Sequence, residues 1–184
     1  MALNILVAGA GAVGGLLCAY LHAAGHRVSL LARGQNAQQI DALGIRLRTP
    51  TLEAIHARPN VVCSVAGMGM QDLVIVATKA FSLSEVMAAI APVLGGSTSV
   101  MPVLNGLPWW LGDASAPLRS LDPYGKLGRV VPAGRLLGAT LYAPTRRDTP
   151  TQWIHSGQGR LIIGPVEGGR VSAVATAALF AGST

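Results

Sequence analysis

The chain has 184 residues, of which 51% are hydrophobic, 12% are charged and 4% are aromatic, and its net charge is +6. This length fits one ordinary domain or one domain with part of another, and the apolar content excludes a disordered chain. The 23 glycines have no three-residue period, which excludes a collagen. Cys18 and Cys63 are too few for a disulfide framework, and the basic residues form no run, which argues against nucleic-acid binding.

The N-terminal segment from Ala2 to His26 contains no Asp, Glu, Lys or Arg, so a membrane span or a leader has to be considered. No basic residue precedes the apolar stretch, which disfavours a secretory signal. Several glycines interrupt it, and a soluble strand, turn and helix explain it better than a span. We therefore expect a cytoplasmic protein that does not interact with a membrane.

Strands alternate with helices in the first part of the chain, which predicts an α/β fold with a mainly parallel sheet. The predicted strands are Asn4–Ala8, Arg27–Ala32, Ile45–Arg48, Leu52–His56, Asp72–Thr78 and Ser99–Leu104. Apolar residues at helical spacing from Val13 to Leu21 predict the first helix, with Gly25 as its C-terminal cap. The segment from Gly34 to Asn60 is otherwise read as irregular. Ser82 to Glu85 has the pattern of a capping box, which predicts the start of another helix.

The second part of the chain is richer in proline and glycine. A short helix is predicted after Pro108, and a helix is predicted to begin within 171–180. Three strands without helices between them suggest antiparallel additions at the edge of the sheet. These predicted strands are Leu136–Ala143, Thr151–His155 and Arg160–Ile163.

A glycine-rich fingerprint follows the first predicted strand. It consists of Gly9, Ala10, Gly11, Ala12, Val13 and Gly14. In such a motif the first glycine permits a tight turn, the second lets a pyrophosphate approach the backbone, and the third lets helix and strand pack closely. The helix N-terminus then offers free N–H groups to the phosphates. The motif between a strand and a helix predicts a dinucleotide site, the alternative being a tight turn that binds nothing.

Arg33 ends the second predicted strand, where an NAD site usually carries Asp or Glu for the ribose 2′-hydroxyl. No acidic residue lies between Met1 and Asp41. A guanidinium at this position suits a 2′-phosphate, because its planar fork binds two oxygens. We therefore predict NADPH rather than NADH as the cofactor. The alternative is that Arg33 is an ordinary surface arginine.

Lys79 and Asn105 lie just beyond the ends of two predicted strands, where open α/β sheets place their ligands. Both are candidates for cofactor binding and catalysis. The alternatives are a solvated loop lysine and a turn-forming asparagine before Gly106. The histidines and cysteines lack metal-ligand spacing, so we expect no metal site.

These motifs occur in the order found in ketopantoate reductases, which are Rossmann-type enzymes of the 6-phosphogluconate dehydrogenase-like group. The chain resembles that family in the following segments: the Gly9–Gly14 fingerprint, Leu30–Gly34 with its arginine, Thr78–Ala80 with its lysine, Asn105–Gly106 with the extension Leu107–Trp110, and His155–Gly159 followed by Ile163–Pro165. The matches cover nearly the whole chain.

The resemblance implies a doubly wound Rossmann-type domain that transfers hydride from NADPH to 2-dehydropantoate, giving pantoate for coenzyme A synthesis. It places Lys79 and Asn105 near the nicotinamide and the keto acid, where a cation and an amide can orient the substrate and stabilise charge on its carbonyl oxygen. It also implies that the segment at His155 is a structural or cleft-edge hairpin, so we do not expect His155 to be catalytic.

In this family a second, largely helical domain supplies a catalytic lysine, a substrate-binding carboxylate and much of a dimer contact. We expect residues 1–167 to form the NADP-binding domain and residues 168–184 to begin a truncated helical domain. The chain is accordingly expected to bind NADPH with little turnover, and a homodimer is a candidate assembly. Two alternatives stay open: a non-catalytic NADP-binding sensor or assembly module, and a reductase of a different 2-keto acid.

Overall fold

The computed structural model describes residues 2–50, 54–104, 106–111, 120–122, 124–166, 176 and 180. The strands in this part of the chain are β1 (Asn4–Ala8), β2 (Arg27–Leu31), β3 (Ile45–Arg48), β4 (Ile55–Ala57), β5 (Asn60–Val62), β6 (Leu73–Val76), β7 (Ser99–Pro102), β8 (Leu137–Tyr142), β9 (Thr145–Thr149), β10 (Gln152–His155) and β11 (Arg160–Pro165). The α-helices are α1 (Ala12–Ala23), α2 (Gly34–Leu43), α3 (Leu83–Ile90) and α4 (Lys126–Val130).

Five parallel strands form the central sheet, in the order β5-β2-β1-β6-β7. The strand β1 is almost fully buried, and its side chains alternate between the two faces of the sheet, as the two-residue period of a strand requires. Ile5 and Val7 belong to the cluster that includes α1 and α2, whereas Leu6 and Ala8 belong to the cluster that includes α3. Burial on both faces confirms the predicted doubly wound, mainly parallel α/β fold.

Two smaller sheets complete the described part of the molecule. One has the order β4-β3-β10-β9, and the other is the antiparallel pair β11-β8. Isolated parallel bridges join Val100 to Leu136 and Val103 to Ala139, so β8 runs beside the edge strand β7. The antiparallel strands therefore lie at one edge of the central sheet and in a second sheet packed against α1.

Helix α1 ends as its sequence predicts. Gly25 has a φ of +85°, its N–H donates to the carbonyl of His22, and the N–H of His26 donates to the carbonyl of Leu21. This is the Schellman arrangement, which favours glycine because its backbone adopts positive φ without strain.

Several elements differ from the sequence-based expectation. The segment read as irregular contains α2, a helix that buries only Ala37 and Ile40 and therefore gives a weak hydrophobic period. Two strands differ from the prediction: β5 has only three residues, and β9 is polar, so neither gives a clear strand pattern. The helix expected within 171–180 lies almost entirely outside the described residues. None of the helices in the described ranges has the length and hydropathy needed to cross a membrane.

Candidate functional site

A cleft of about 480 Å³ lies at the carboxyl ends of β1, β2 and β6. Strand β2 follows β1 in the sequence and lies on one side of it, whereas the later strand β6 lies on its other side. The cleft is located between these two halves of the sheet. In open α/β sheets this switch point is where ligands bind. We call it the strand-end cleft; its lining residues are Gly9, Ala10, Gly11, Leu31, Ala32, Arg33, Asn36, Ala77, Thr78, Lys79, Phe81, Ser82, Glu85, Val86 and Arg147.

The three fingerprint glycines occupy three different environments. Gly9 has a φ of +116°, and a Cβ on it would lie 2.8 Å from the carbonyl oxygen of Ala77. A Cβ on Gly14 would lie 1.8 Å from the carbonyl oxygen of Gly9, so helix α1 can approach β1 this closely only at a glycine. A Cβ on Gly11 would meet no heavy atom within 4 Å. The space beside Gly11 is therefore open to a ligand.

The amino end of α1 faces this loop. Its first intrahelical hydrogen bond runs from the N–H of Gly15 to the carbonyl of Gly11, at 3.0 Å. The N–H groups of Ala12, Val13 and Gly14 consequently have no acceptor within the helix, and its first turn carries no acidic residue. This end of the helix thus presents donors and a partial positive charge, the combination that favours a phosphate.

Arg33 lines the cleft, as its position after β2 predicts, but it is paired with a carboxylate. Its Nη1 lies 2.5 Å from Oε1 of Glu85, and the two side chains are 59% and 65% exposed. The helix predicted to start at this pattern is present as α3, with Ser82 at its N-cap position, but the Ser82 side chain makes no capping hydrogen bond, so the capping-box contact itself is absent. The carboxylate of Glu85 is drawn to the arginine across the cleft instead of to the helix backbone.

Lys79 lies in the same cleft, just beyond β6. Its Nζ is 5.9 Å from the centre of the Phe81 ring, a cation–π contact at the solvent-exposed rim. The structure thus brings Lys79, Arg33 and the glycine loop to one cavity. Asn105, the other candidate catalytic residue, lies outside the described residues.

Two residues from the second sheet also contribute to the site and were not predicted. Arg147 of β9 lines the cleft, and its Nη2 donates to Oδ1 of Asn36 at 3.1 Å. Trp153 of β10 is fully buried, and its Nε1 donates to the carbonyl of Gly11 at 3.0 Å. A Cβ on Gly15 would lie 2.1 Å from the Trp153 ring, so a glycine is required directly after the fingerprint. An extra glycine after the motif is the only sequence signal for this contact.

His155 lies elsewhere, in an apolar cleft on the other side of α1. Its Nδ1 is 2.8 Å from the hydroxyl oxygen of Tyr20, and 9% of the residue is exposed. Burial lowers the pKa of His155 below its ordinary value. The residue lines this apolar cleft and not the strand-end cleft.

Comparison with known proteins gives one consistent family. The sequence profile of the ketopantoate reductase PanE/ApbA family matches residues 5–168. A 2-dehydropantoate 2-reductase of Mesorhizobium japonicum is 34% identical over 175 residues, which are 91% of this chain and 53% of that protein. The match covers 53%, 34% and 42% of the lengths of the first three curated relatives, so the chain spans about a third to a half of them.

Solved structures agree. A candidate ketopantoate reductase from Ralstonia solanacearum MolK2 superposes with a TM-score of 0.89 at 34% identity, over 98% of this chain and 58% of that one. A D-mandelate dehydrogenase, solved with NADH and anilino(oxo)acetate, has a TM-score of 0.79 at 22% identity over 98% and 55% of the two chains, and this likeness concerns the fold alone. The chain belongs to the ketopantoate reductase PanE/ApbA family.

Proposed function

We propose that this chain is the NADPH-binding part of a reductase that converts 2-dehydropantoate to pantoate. The observation that carries the proposal is the convergence of an open glycine loop, Arg33 and Lys79 in one cleft at the switch point of the sheet. The match of residues 5–168 to the family supports the same reaction.

The residues of the cleft fit a dinucleotide phosphate. The open space beside Gly11 and the free N–H groups of α1 suit the pyrophosphate. Arg33 suits the ribose 2′-phosphate, since its pair with Glu85 is solvent-exposed and such pairs contribute only about 0–1 kcal/mol. The guanidinium also has donors beyond the one that contacts Glu85. The bound nicotinamide would supply the hydride.

We propose that Lys79 binds the substrate, at the part of the cleft that lies beyond β6. Its ammonium group is exposed, lies beyond β6 and has no carboxylate within ion-pairing distance in the described ranges. A free cation at that position can orient a 2-keto acid and stabilise negative charge on its carbonyl oxygen during reduction. Asn105 is proposed to assist it as an amide donor, because it follows the neighbouring strand β7 in the sequence.

We also propose domain boundaries that match this function. Residues 1–167 form the cofactor-binding unit and residues 168–184 begin the helical one. A second, largely helical part, which the family resemblance implies, would complete the substrate site and a homodimer contact.

The proposal is tested by calorimetric titration of the chain with NADPH and with NADH. We expect binding of NADPH with at least a tenfold preference over NADH, and we expect Arg33→Asp to remove that preference. Arg46→Asp is the matched control, because Arg46 is an exposed arginine of β3 that does not line the cleft. Equal affinity for the two cofactors, or an unchanged preference in Arg33→Asp, would refute the NADPH assignment.

A second assay separates the candidate functions. NADPH oxidation should be followed with 2-dehydropantoate and with other 2-keto acids, using the chain as it stands. Preferential reduction of another acid would favour a different reductase. Little turnover is expected of the cofactor-binding part alone, so titration of the NADPH-loaded chain with 2-dehydropantoate decides between the reductase, in which Lys79→Ala should weaken binding of the acid, and the non-catalytic module, which should not bind the acid.

A further inference from the structure

Arg147 is a second arginine of the strand-end cleft, and it reaches the cleft from a different sheet. It lies on β9, more than a hundred residues after Arg33, yet both line the cavity that contains Gly9 and Gly11. Its Nη2 donates to Oδ1 of Asn36, in the first turn of α2, which begins directly after Arg33. Asn36 therefore connects the Arg147 guanidinium to the segment that carries Arg33.

Several contacts hold the Arg147 side chain in place. Its guanidinium carbon lies 4.9 Å from the centre of the Trp153 ring, a distance typical of stacking between arginine and tryptophan. Its Nη2 also donates to the carbonyl of Pro150 at 2.5 Å, and its Nε donates to the carbonyl of Thr149 at 3.3 Å. A side chain that is already ordered loses less conformational entropy when it binds a ligand.

The charge of Arg147 is not matched by a carboxylate. In the described part of the chain Arg33 pairs with Glu85, and Arg146 lies 3.6 Å from Asp148, but no acidic side chain lies within 4.0 Å of the Arg147 nitrogens. Within the described ranges its hydrogen-bond acceptors are the neutral oxygens of Asn36, Thr149 and Pro150. Partial burial also lowers the pKa of Arg147, so the cation is incompletely solvated. An anionic ligand in the cleft would offset that cost.

We propose that Arg147 binds the ribose 2′-phosphate of NADPH together with Arg33, and so determines the preference for NADPH over NADH. This inference rests on the proposed function, since it requires NADPH to occupy the strand-end cleft. Two guanidiniums can share the oxygens of one phosphate. Arg33 alone, which is exposed and paired with Glu85, would bind the phosphate less tightly. Arg147 would then be a specificity-determining residue rather than a support for the loop.

The experiment is a calorimetric titration of the wild-type chain, Arg147→Gln and Arg146→Gln with NADPH and with NADH. We expect Arg147→Gln to weaken NADPH binding at least tenfold and NADH binding less than twofold. Arg146→Gln is the matched control, since Arg146 is the adjacent, exposed arginine of the same strand and is absent from the cleft lining. It should leave both affinities unchanged. The fragment 2′,5′-ADP, compared with 5′-AMP, should reproduce the difference between the cofactors.

The outcomes separate this inference from the proposed function. An equal loss of NADPH and NADH affinity in Arg147→Gln would place Arg147 at the pyrophosphate or in support of the loop, and would overturn the inference. No change in either affinity would also overturn it. A wild-type chain without NADPH preference would refute the proposed function itself. If Arg147→Gln does not fold, as judged by thermal melting, Arg147→Lys replaces it, with a smaller loss expected for NADPH alone.

Discussion

Two clefts flank helix α1, and they differ in chemistry although strand β10 contributes to the surroundings of both. The strand-end cleft holds three basic side chains and one carboxylate among the described residues, around an open glycine loop. The apolar cleft is larger, about 740 Å³, and its lining residues are Leu16, Leu17, Tyr20, Pro50, Leu141, Ala143, His155, Gly157, Gln158, Gly159, Arg160, Leu161 and Phe180. Size therefore does not identify the proposed site, because the basic side chains and the open glycine loop converge on the smaller cavity.

The two clefts also depend on β10 in different ways. Trp153 donates to the carbonyl of Gly11 at the amino end of α1, whereas His155 contacts Tyr20 farther along the helix. Trp153 thus contacts the glycine loop, and His155 contacts the body of the helix. The following predictions separate these roles, beginning with the largest expected effect.

Glycine substitutions should distinguish binding from folding within one motif. Gly14→Ala would place a methyl group 1.8 Å from the Gly9 carbonyl oxygen, which we expect to cost about 2 kcal/mol or more, or roughly 4–8 °C in Tm. Gly11→Ala meets open space, so its Tm should stay within about 2 °C of wild type while NADPH affinity falls at least tenfold. Thermal melts and titrations of both variants test this. A large loss of Tm in Gly11→Ala would contradict the assignment of the open space to a ligand.

Removal of the indole donor should affect both cofactors alike. Trp153→Phe deletes the bond to the Gly11 carbonyl and part of a fully buried ring, for an expected loss of about 2 kcal/mol in the free energy of unfolding. NADPH and NADH affinities should fall together, because the shared pyrophosphate loop is loosened. Denaturant unfolding and paired titrations measure the two effects. A selective loss of NADPH binding would show that the ring acts mainly through Arg147.

The apolar cleft should give the protein a pH-dependent stability. Burial lowers the pKa of His155, so the unfolded chain binds a proton at a higher pH than the folded chain does. The stability that the neutral His155 contributes is fully present above pH about 6.5. As the pH falls below that value, the free energy of unfolding decreases by no more than about 1.4 kcal/mol per pH unit. Tm measured from pH 7.5 to 5.5 should fall less steeply in His155→Gln than in wild type.

His56→Gln is the control for that series, since His56 is an exposed histidine of β4. It should retain the wild-type slope of Tm against pH. An identical slope in wild type and His155→Gln would show that the buried imidazole is not the group responsible.

The smallest effect concerns the carboxylate of the strand-end cleft. Glu85→Gln removes the negative charge beside Arg33, and because the pair is exposed we expect NADPH affinity to rise only about two- to fivefold. NADH affinity should change less, since NADH lacks the 2′-phosphate. Titrations at two salt concentrations would check the electrostatic origin. A fall in NADPH affinity would mean that Glu85 orients Arg33 for the cofactor.

The sequence was informative where structure depends on near neighbours. The strand β1, the helix α1 with its Gly25 cap, and the buried strands β6 and β7 follow from local hydrophobic patterns and glycine positions. Helix α2 was missed because it buries only two residues, and the polar strand β9 has no hydrophobic alternation.

The site residues likewise fall into those that a local sequence motif locates and those that it does not. The glycine loop, Arg33 and Lys79 follow strand ends directly, so a local motif locates them. Arg147 and Trp153 reach the loop through the pairing of β10 with β3 and β9, which no local pattern specifies. The Glu85 carboxylate matches a local capping motif but is paired with Arg33 across the cleft. Tertiary contacts therefore decide the role of each residue that sequence reasoning missed or misassigned.

The most direct test of the central claim is an amide NMR titration of the chain with NADPH. We predict that the backbone signals of Gly9, Gly11 and Arg33 shift progressively, while those of Tyr20 and Leu161 in the apolar cleft stay in place. That result would locate the cofactor in the strand-end cleft. Shifts confined to the apolar cleft, or no shift at any of these residues, would contradict the account.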